Sequence, residues 1–222
     1  MKALLIFFLF SLNLHAIIFC DDPENHVVKS PSFYDGVGTV KIYILDNETI
    51  SAACGTASLI NENWIITAKH LFAGEIIESY FDIRVDNKTY SYEISSLKFH
   101  PLKDLVLGKL NKKAKFKGYS LYNKDDEKNK TGIIVGYGIS GKNKRCREVY
   151  PFGIKRLGYN KIHPFMDIIL MYFDNKDSSD FLGMDKEALI SYGDSGGPLF
   201  LDDSQLPTNK FVGLSGDTQR LK

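Results

Sequence analysis

The chain has 222 residues, 44% of them hydrophobic, which is enough for one compact domain or two small lobes sharing an interface. Lys and Arg number 28 against 27 Asp and Glu, a formal net charge of +1. That balance excludes a strong global field for nucleic acid or an anionic membrane, and the basic stretches NKKAKFK and GKNKRCR read as solvated loops. In chain order, the first predicted element is a leader, MKALLIFFLFSLNLHAIIFC (1–20), with Lys2 before an apolar run and expected cleavage after Ala16 or after Cys20. Ser11, Asn13 and His15 interrupt that run, which weakens it as a membrane span, and no later stretch is long and apolar enough to be one. The implied destination is secreted or periplasmic. Membrane contact would require the N-terminal segment to be retained, or lipidated at Cys20.

After the leader, short β-type runs dominate. VGTVKIYIL, NWIITA, YFDIRV, TYSYEISSLKF and DLVLGKL are predicted strands, punctuated by Gly, Asn, Asp and Lys. NKKAKFKGYSLYNKDDEKNK (111–130) is charged and poor in apolar runs, and reads as a linker. GIIVGYGI, FMDIILMYF, GGPLFL and KFVGLSG follow as further strands, while MDKEALI is expected to form one helical turn. Short strands on both sides of a linker predict an all-β architecture of two sheets or barrels, with an N-terminal unit over 28–115 and the linker and second unit over 116–222. With residues 1–20 removed, Cys54 and Cys146 remain, so the fold rests mainly on an apolar core and not on a disulfide framework.

The stretch YGDSGGPLF (192–200) crowds glycines around Ser195. GDSGG fits the G-x-S-x-G nucleophile elbow, but that arrangement needs an acid and then a His after the serine. No His lies in the 27 residues beyond Ser195, so this reading fails. A nucleophilic serine needs a base, and the base needs an acid to hold its tautomer. Of the five histidines, His15 lies in the leader, His26 in a polar segment, and His100 and His163 each precede a proline. His70 closes the apolar run LINENWIITAKH, where a strand end can hold a base in place. Asp104 stands at the mouth of the strand DLVLGKL, whereas its rivals Asp82 and Asp86 are expected to face solvent.

Taken together, LINENWIITAKH, HPLKDLVLGKL and GDSGGPLF resemble the His, Asp and Ser blocks of the trypsin/chymotrypsin-like serine proteases, in that family's order. The likeness runs from about Val37 to about Ser215, with GYG (136–138) resembling the opening of the second barrel and KFVGLSG the strand beside the substrate cleft. The resemblance implies two antiparallel six-stranded β-barrels with the active site between them, and a serine endopeptidase acting on protein or peptide substrates. It implies a triad of His70, Asp104 and Ser195, an oxyanion hole from the backbone N–H groups of Gly193 and Ser195, and no cofactor or metal. It places Leu189 and Ser215 at the specificity pocket, and an apolar Leu189 argues against selection of Arg or Lys.

The sequence also departs from the family pattern. No Ile-Val-Gly-Gly-like segment supplies a cleavage-made ammonium for Asp194, so that carboxylate is expected to need another partner or a differently organised turn. Leu71 replaces the cysteine after the histidine, leaving Cys54 without its family partner, and the family's last strand and C-terminal helix have no counterpart before Lys222. These departures keep a second reading open, a catalytically inactive homologue acting as a secreted binding protein.

Overall fold

A computed structural model of the chain describes residues 17–19, 21–124, 126–142, 149–165, 168–174, 176–183, 185–201, 211–214 and 219–220. Strand β1 is Ile17–Phe19, and the following six are β2 (Val37–Asp46), β3 (Thr49–Asn61), β4 (Trp64–Thr67), β5 (Glu75–Val85), β6 (Lys88–Phe99) and β7 (Val106–Leu110). These six close into a barrel in the order β2-β3-β4-β7-β6-β5. The alternation that predicts strands also fills the barrel: Ser79, Phe81 and Ile83 of β5 are buried, between half-buried Tyr80 and Asp82 and exposed Arg84. Val40, Ile42, Leu59, Ile65, Phe81, Ile83 and Val106 are fully buried inside. Two hairpins are made by Asn47–Glu48 and Asp86–Asn87, all four with positive φ, as a two-residue turn matched to strand twist requires.

Strand β3 is the one strand of this barrel that the sequence reading missed, and Arg156–Lys161 is the longest strand it missed in the second half. The middle of β3, SAACGTAS, is too poor in branched or aromatic side chains to announce a strand, yet it pairs with Val37 through Ile44 of β2. Small residues are needed because other chain segments press on it. A Cβ at Gly55 would lie 2.4 Å from Leu71 Cδ1, so it is Gly55, one place beyond Cys54, that packs against the residue replacing the family cysteine. Cys54 is exposed and free, and Cys146 lies outside the described residues.

The second half holds β8 (Thr131–Gly136), β9 (Ser140–Lys142), β10 (Val149–Tyr150), β11 (Arg156–Lys161), β12 (His163–Phe165), β13 (Ile168–Leu170), β14 (Ala188–Leu189), β15 (Pro198–Leu201), β16 (Phe211–Leu214) and β17 (Gln219–Arg220). They form a seven-stranded sheet, β11-β8-β15-β16-β17-β13-β12, and a four-stranded sheet, β10-β9-β1-β14. Among the described residues only the first barrel is a closed ring. Of MDKEALI, Ala188–Leu189 form β14 where a helical turn was predicted, because their backbone groups pair with Ile18 and Phe19 of β1. The segment read as a linker is tied down at Tyr119, which is buried, accepts from Gly36 N–H and donates to Phe33 O. Its ring packs with Phe33, Phe116 and Phe200, in a cluster that joins Val37 and Ile66 of the barrel to Ile133, Val135 and Tyr137 of the second half.

Strand β1 falls inside the predicted leader. Ile17 and Phe19 are buried, Ser140 Oγ donates to Ile17 O at 2.9 Å, and Phe19 stacks on His26 at 3.8 Å. Among the described residues no helix is long and apolar enough to cross a membrane.

Candidate active site

His70 sits on a short 3₁₀ turn, Lys69–Phe72, at the end of β4. Leu71 and Phe72 turn inward to the barrel core, which leaves the neighbouring imidazole facing out, its side chain 45% exposed. The β6–β7 connection is tight. His100 N–H donates to Leu105 O, and His100 Nδ1 accepts from the N–H groups of Leu102 and Lys103. That fold of the loop presents Asp104, with its side chain only 13% exposed. Its carboxylate grips His70 twice, accepting the backbone N–H on Oδ1 at 2.7 Å and meeting Nδ1 with Oδ2 at 2.5 Å. A carboxylate at that distance places the ring proton on Nδ1, which leaves Nε2 able to accept a proton.

Ser195 lies in a turn where every neighbouring carbonyl is committed. Tyr192 O accepts from Ile139 N–H at 3.1 Å, Asp194 O from Gly197 N–H at 2.7 Å, and Ser195 O from Thr56 N–H at 2.9 Å. Gly193 O accepts from Thr56 Oγ1 at 2.9 Å. Gly193 and Gly196 have φ of +89° and +79°, conformations that an L side chain rarely adopts. With their carbonyl partners fixed, the N–H groups of Gly193 and Ser195 have no acceptor among the described residues. The turn borders a cleft of about 660 Å³ that is also lined by His70, Cys54, Leu71, Ile139, Phe152 and Tyr192. Ser195 and His70 line the same cleft.

Asp194 is fully buried and accepts from Gly138 N–H on Oδ1 at 2.9 Å and from Ser191 N–H on Oδ2 at 3.0 Å. These backbone donors hold the carboxylate for which the family pattern suggested an ammonium. Burial outweighs them and pushes its pKa up to about 7. A raised carboxyl pKa means the folded chain holds a proton that the unfolded chain releases, so this contribution to stability is complete below about 3.8 and is lost as pH rises to about 7. Urea unfolding at pH 5 and pH 7.5 should therefore show wild-type stability falling relative to Asp194→Asn, by at most about 1.4 kcal/mol per pH unit in that window. A difference between the two proteins that does not change with pH would refute it.

The remaining sequence candidates fall elsewhere. Asp82 pairs with Lys41 at 2.7 Å on the barrel wall and is far less exposed than expected, while Asp86 forms a hairpin turn. His26 is bound to Asp21, and His163 is 3.8 Å from Asp180. His15 and Ser215 lie outside the described residues. Leu189 is half-buried in β14, paired with Ile18, and is not among the residues lining the cleft. Sequence reading missed Thr56, Ile139 and Phe152. The signal available for Thr56 was its place in a run of small residues shortly before the histidine block.

The family model described as Trypsin matches residues 34–217. The chain belongs to the trypsin family. Solved structures agree on the fold. Mouse neuropsin, a serine protease expressed in the limbic system of the brain, is 15% identical with a TM-score of 0.58, over 88% of this chain and 89% of its own. HL collagenase is 17% identical with a TM-score of 0.60, over 86% and 84%. Human heparin binding protein is 16% identical with a TM-score of 0.58, over 86% and 82%. No curated protein shows a significant sequence match to the chain. The architecture is thus that of the trypsin-like serine proteases, a closed six-stranded barrel beside a second set of sheets.

Proposed function

We propose that this trypsin-family chain is an exported serine endopeptidase that cleaves protein or peptide substrates through an acyl-enzyme. Ser195 Oγ attacks the scissile carbonyl while His70 Nε2 takes its proton. The oxyanion is met by the N–H groups of Gly193 and Ser195. The C–N bond then breaks as His70 returns the proton to the leaving amine, and water repeats the sequence to free the acid. Asp104 holds the imidazole in the accepting tautomer and stabilises its protonated form. The observation that carries this reading is the double grip of Asp104 on His70, which lines the same cleft as Ser195 and Gly193 with their uncommitted N–H groups.

In this reading the leader is removed after Ala16, since a cut after Cys20 would discard the buried Ile17 and Phe19. The test is a fluorophosphonate probe applied to the purified exported chain, with the mass of the intact protein read before and after. One adduct per chain is expected, absent in His70→Ala, on a protein that begins at Ile17. A folded wild-type chain that takes no adduct would overturn the catalytic reading in favour of a binding homologue. A mass that starts after Cys20 would overturn the placement of the cut.

A further inference from the structure

We infer that the Thr56 hydroxyl, a side chain of the first barrel, is a positioning residue for the oxyanion-binding turn; this rests on the protease reading above. Thr56 is completely buried in the middle of β3. Its hydroxyl donates to Gly193 O at 2.9 Å and accepts from Tyr137 N–H at 3.2 Å. Its backbone N–H donates to Ser195 O at 2.9 Å, and its carbonyl accepts from Thr67 Oγ1 at 2.7 Å. These are four hydrogen bonds from three polar groups. Two of them hold the turn on either side of the nucleophile, one ties the second half of the molecule through Tyr137, and one anchors to the end of β4, three residues before His70.

The geometry explains why a hydroxyl is needed there. The Gly193 N–H lies in the 192–193 peptide plane and the Ser195 N–H in the 194–195 plane, and the 193–194 plane links the two through a glycine at φ +89°, a residue type with little steric resistance to turning. Ile139 N–H fixes the 192–193 plane through Tyr192 O. The 193–194 plane has its N–H on Ser191 O, and its carbonyl is held by Thr56 Oγ1. Without that donor the Gly193 carbonyl is a buried acceptor with no partner, and rotating the peptide towards solvent relieves it. Such a rotation moves the plane that links the Gly193 and Ser195 N–H groups and so disturbs their common aim into the cleft. Phe152 stands against Gly193 from the other side, since a Cβ placed on that glycine would be 2.8 Å from its ring, so the turn has one orientation that satisfies all contacts. Thr56 also accepts from Tyr137, which makes the hydroxyl a relay whose own orientation is set by the second half of the fold.

Thr56→Val keeps the shape and removes the hydroxyl, whereas Thr56→Ser keeps the hydroxyl and removes a methyl. The expectation for Thr56→Val is a fall in kcat of roughly 10- to 100-fold with KM changed by no more than about 3-fold, because the interaction served is made in the transition state. Thr56→Ser should restore kcat to within about 3-fold of wild type. A merely structural role would lower the melting temperature of both variants without this split. A second readout does not depend on turnover: the crystal structure and the ¹⁵N resonances of Gly193 and Ser195 in all three proteins. The Gly193 carbonyl is expected to leave Thr56 and the Gly193 amide signal to shift or broaden in the valine variant alone. If wild type proves inert, the protease reading falls while this second readout still decides the role of Thr56. A valine variant with unchanged kcat, or with the Gly193 peptide and amide signal unmoved, would overturn the inference.

Discussion

Turnover of a peptide substrate is expected to fall on the order of 10⁵- to 10⁶-fold in Ser195→Ala, and by about 10⁴-fold in Asp104→Asn. The two losses differ because the two residues act at different removes from the bond that breaks. Without the Ser195 hydroxyl there is no nucleophile and no acyl-enzyme, and only the oxyanion donors and substrate binding remain. Asn at 104 keeps the size and one oxygen of the carboxylate, but its amide can donate to His70 Nδ1. That would move the ring proton to Nε2 and turn the base into a donor facing the serine. The bond from the His70 backbone N–H to the side-chain oxygen at position 104, 2.7 Å in the wild type, survives in this variant, so the imidazole should stay near its place. The loss should therefore appear in kcat more than in KM, and melting temperatures should stay close to wild type. Steady-state kinetics on the purified variants, with circular dichroism as the fold control, reads both. An Asp104→Asn variant retaining more than about a tenth of wild-type kcat would remove Asp104 from the mechanism.

The second large effect is on stability. Gly196→Ala should lower the unfolding free energy by about 4 kcal/mol or more, and the melting temperature by roughly 10 °C. The residue has φ of +79°, which penalises any L side chain, and an added Cβ would sit 2.0 Å from Thr67 Oγ1, 2.4 Å from Thr56 O and 2.7 Å from Ala68 N. Two of those atoms are backbone in the barrel and the third donates the Thr67–Thr56 hydrogen bond, so no flexible side chain can yield. Relief would have to come from moving the turn itself, which carries Ser195. Thermal unfolding followed by circular dichroism checks the prediction. A shift below about 3 °C would mean the turn moves at little cost, and the tight seating of Ser195 against β3 and β4 would be wrong.

Much of the fold was legible beforehand. β5 and β6 announce themselves by period-two alternation of apolar residues, β7 by the apolar run around Val106 and Leu107, and the short hairpins by Asn and Asp at positions that need positive φ. The residues of the candidate site were legible as well. His70 closes an apolar strand, Asp104 opens one, and the glycines beside Ser195 have no use in an ordinary strand, so their order along the chain carried the family resemblance.

Where the reading failed, the cause is contact between distant segments. SAACGTAS looks like a weak loop because its residues are small, yet small size is what lets β3 lie under Leu71 and under the serine turn. The charged run 111–130 hides Tyr119, whose hydrogen bonds reach residues 83 and 86 positions away. Residue type and local patterning by themselves determined five of the six barrel strands, the two-part all-β organisation and which side chains could act as nucleophile, base and acid. Only the tertiary structure decided that Asp104 reaches His70, that backbone N–H groups hold Asp194, and that Thr56 anchors the turn. Hydrogen bonds of this kind join residues far apart in the chain, and their partners are backbone groups that every residue carries, so no residue name in the sequence marks them.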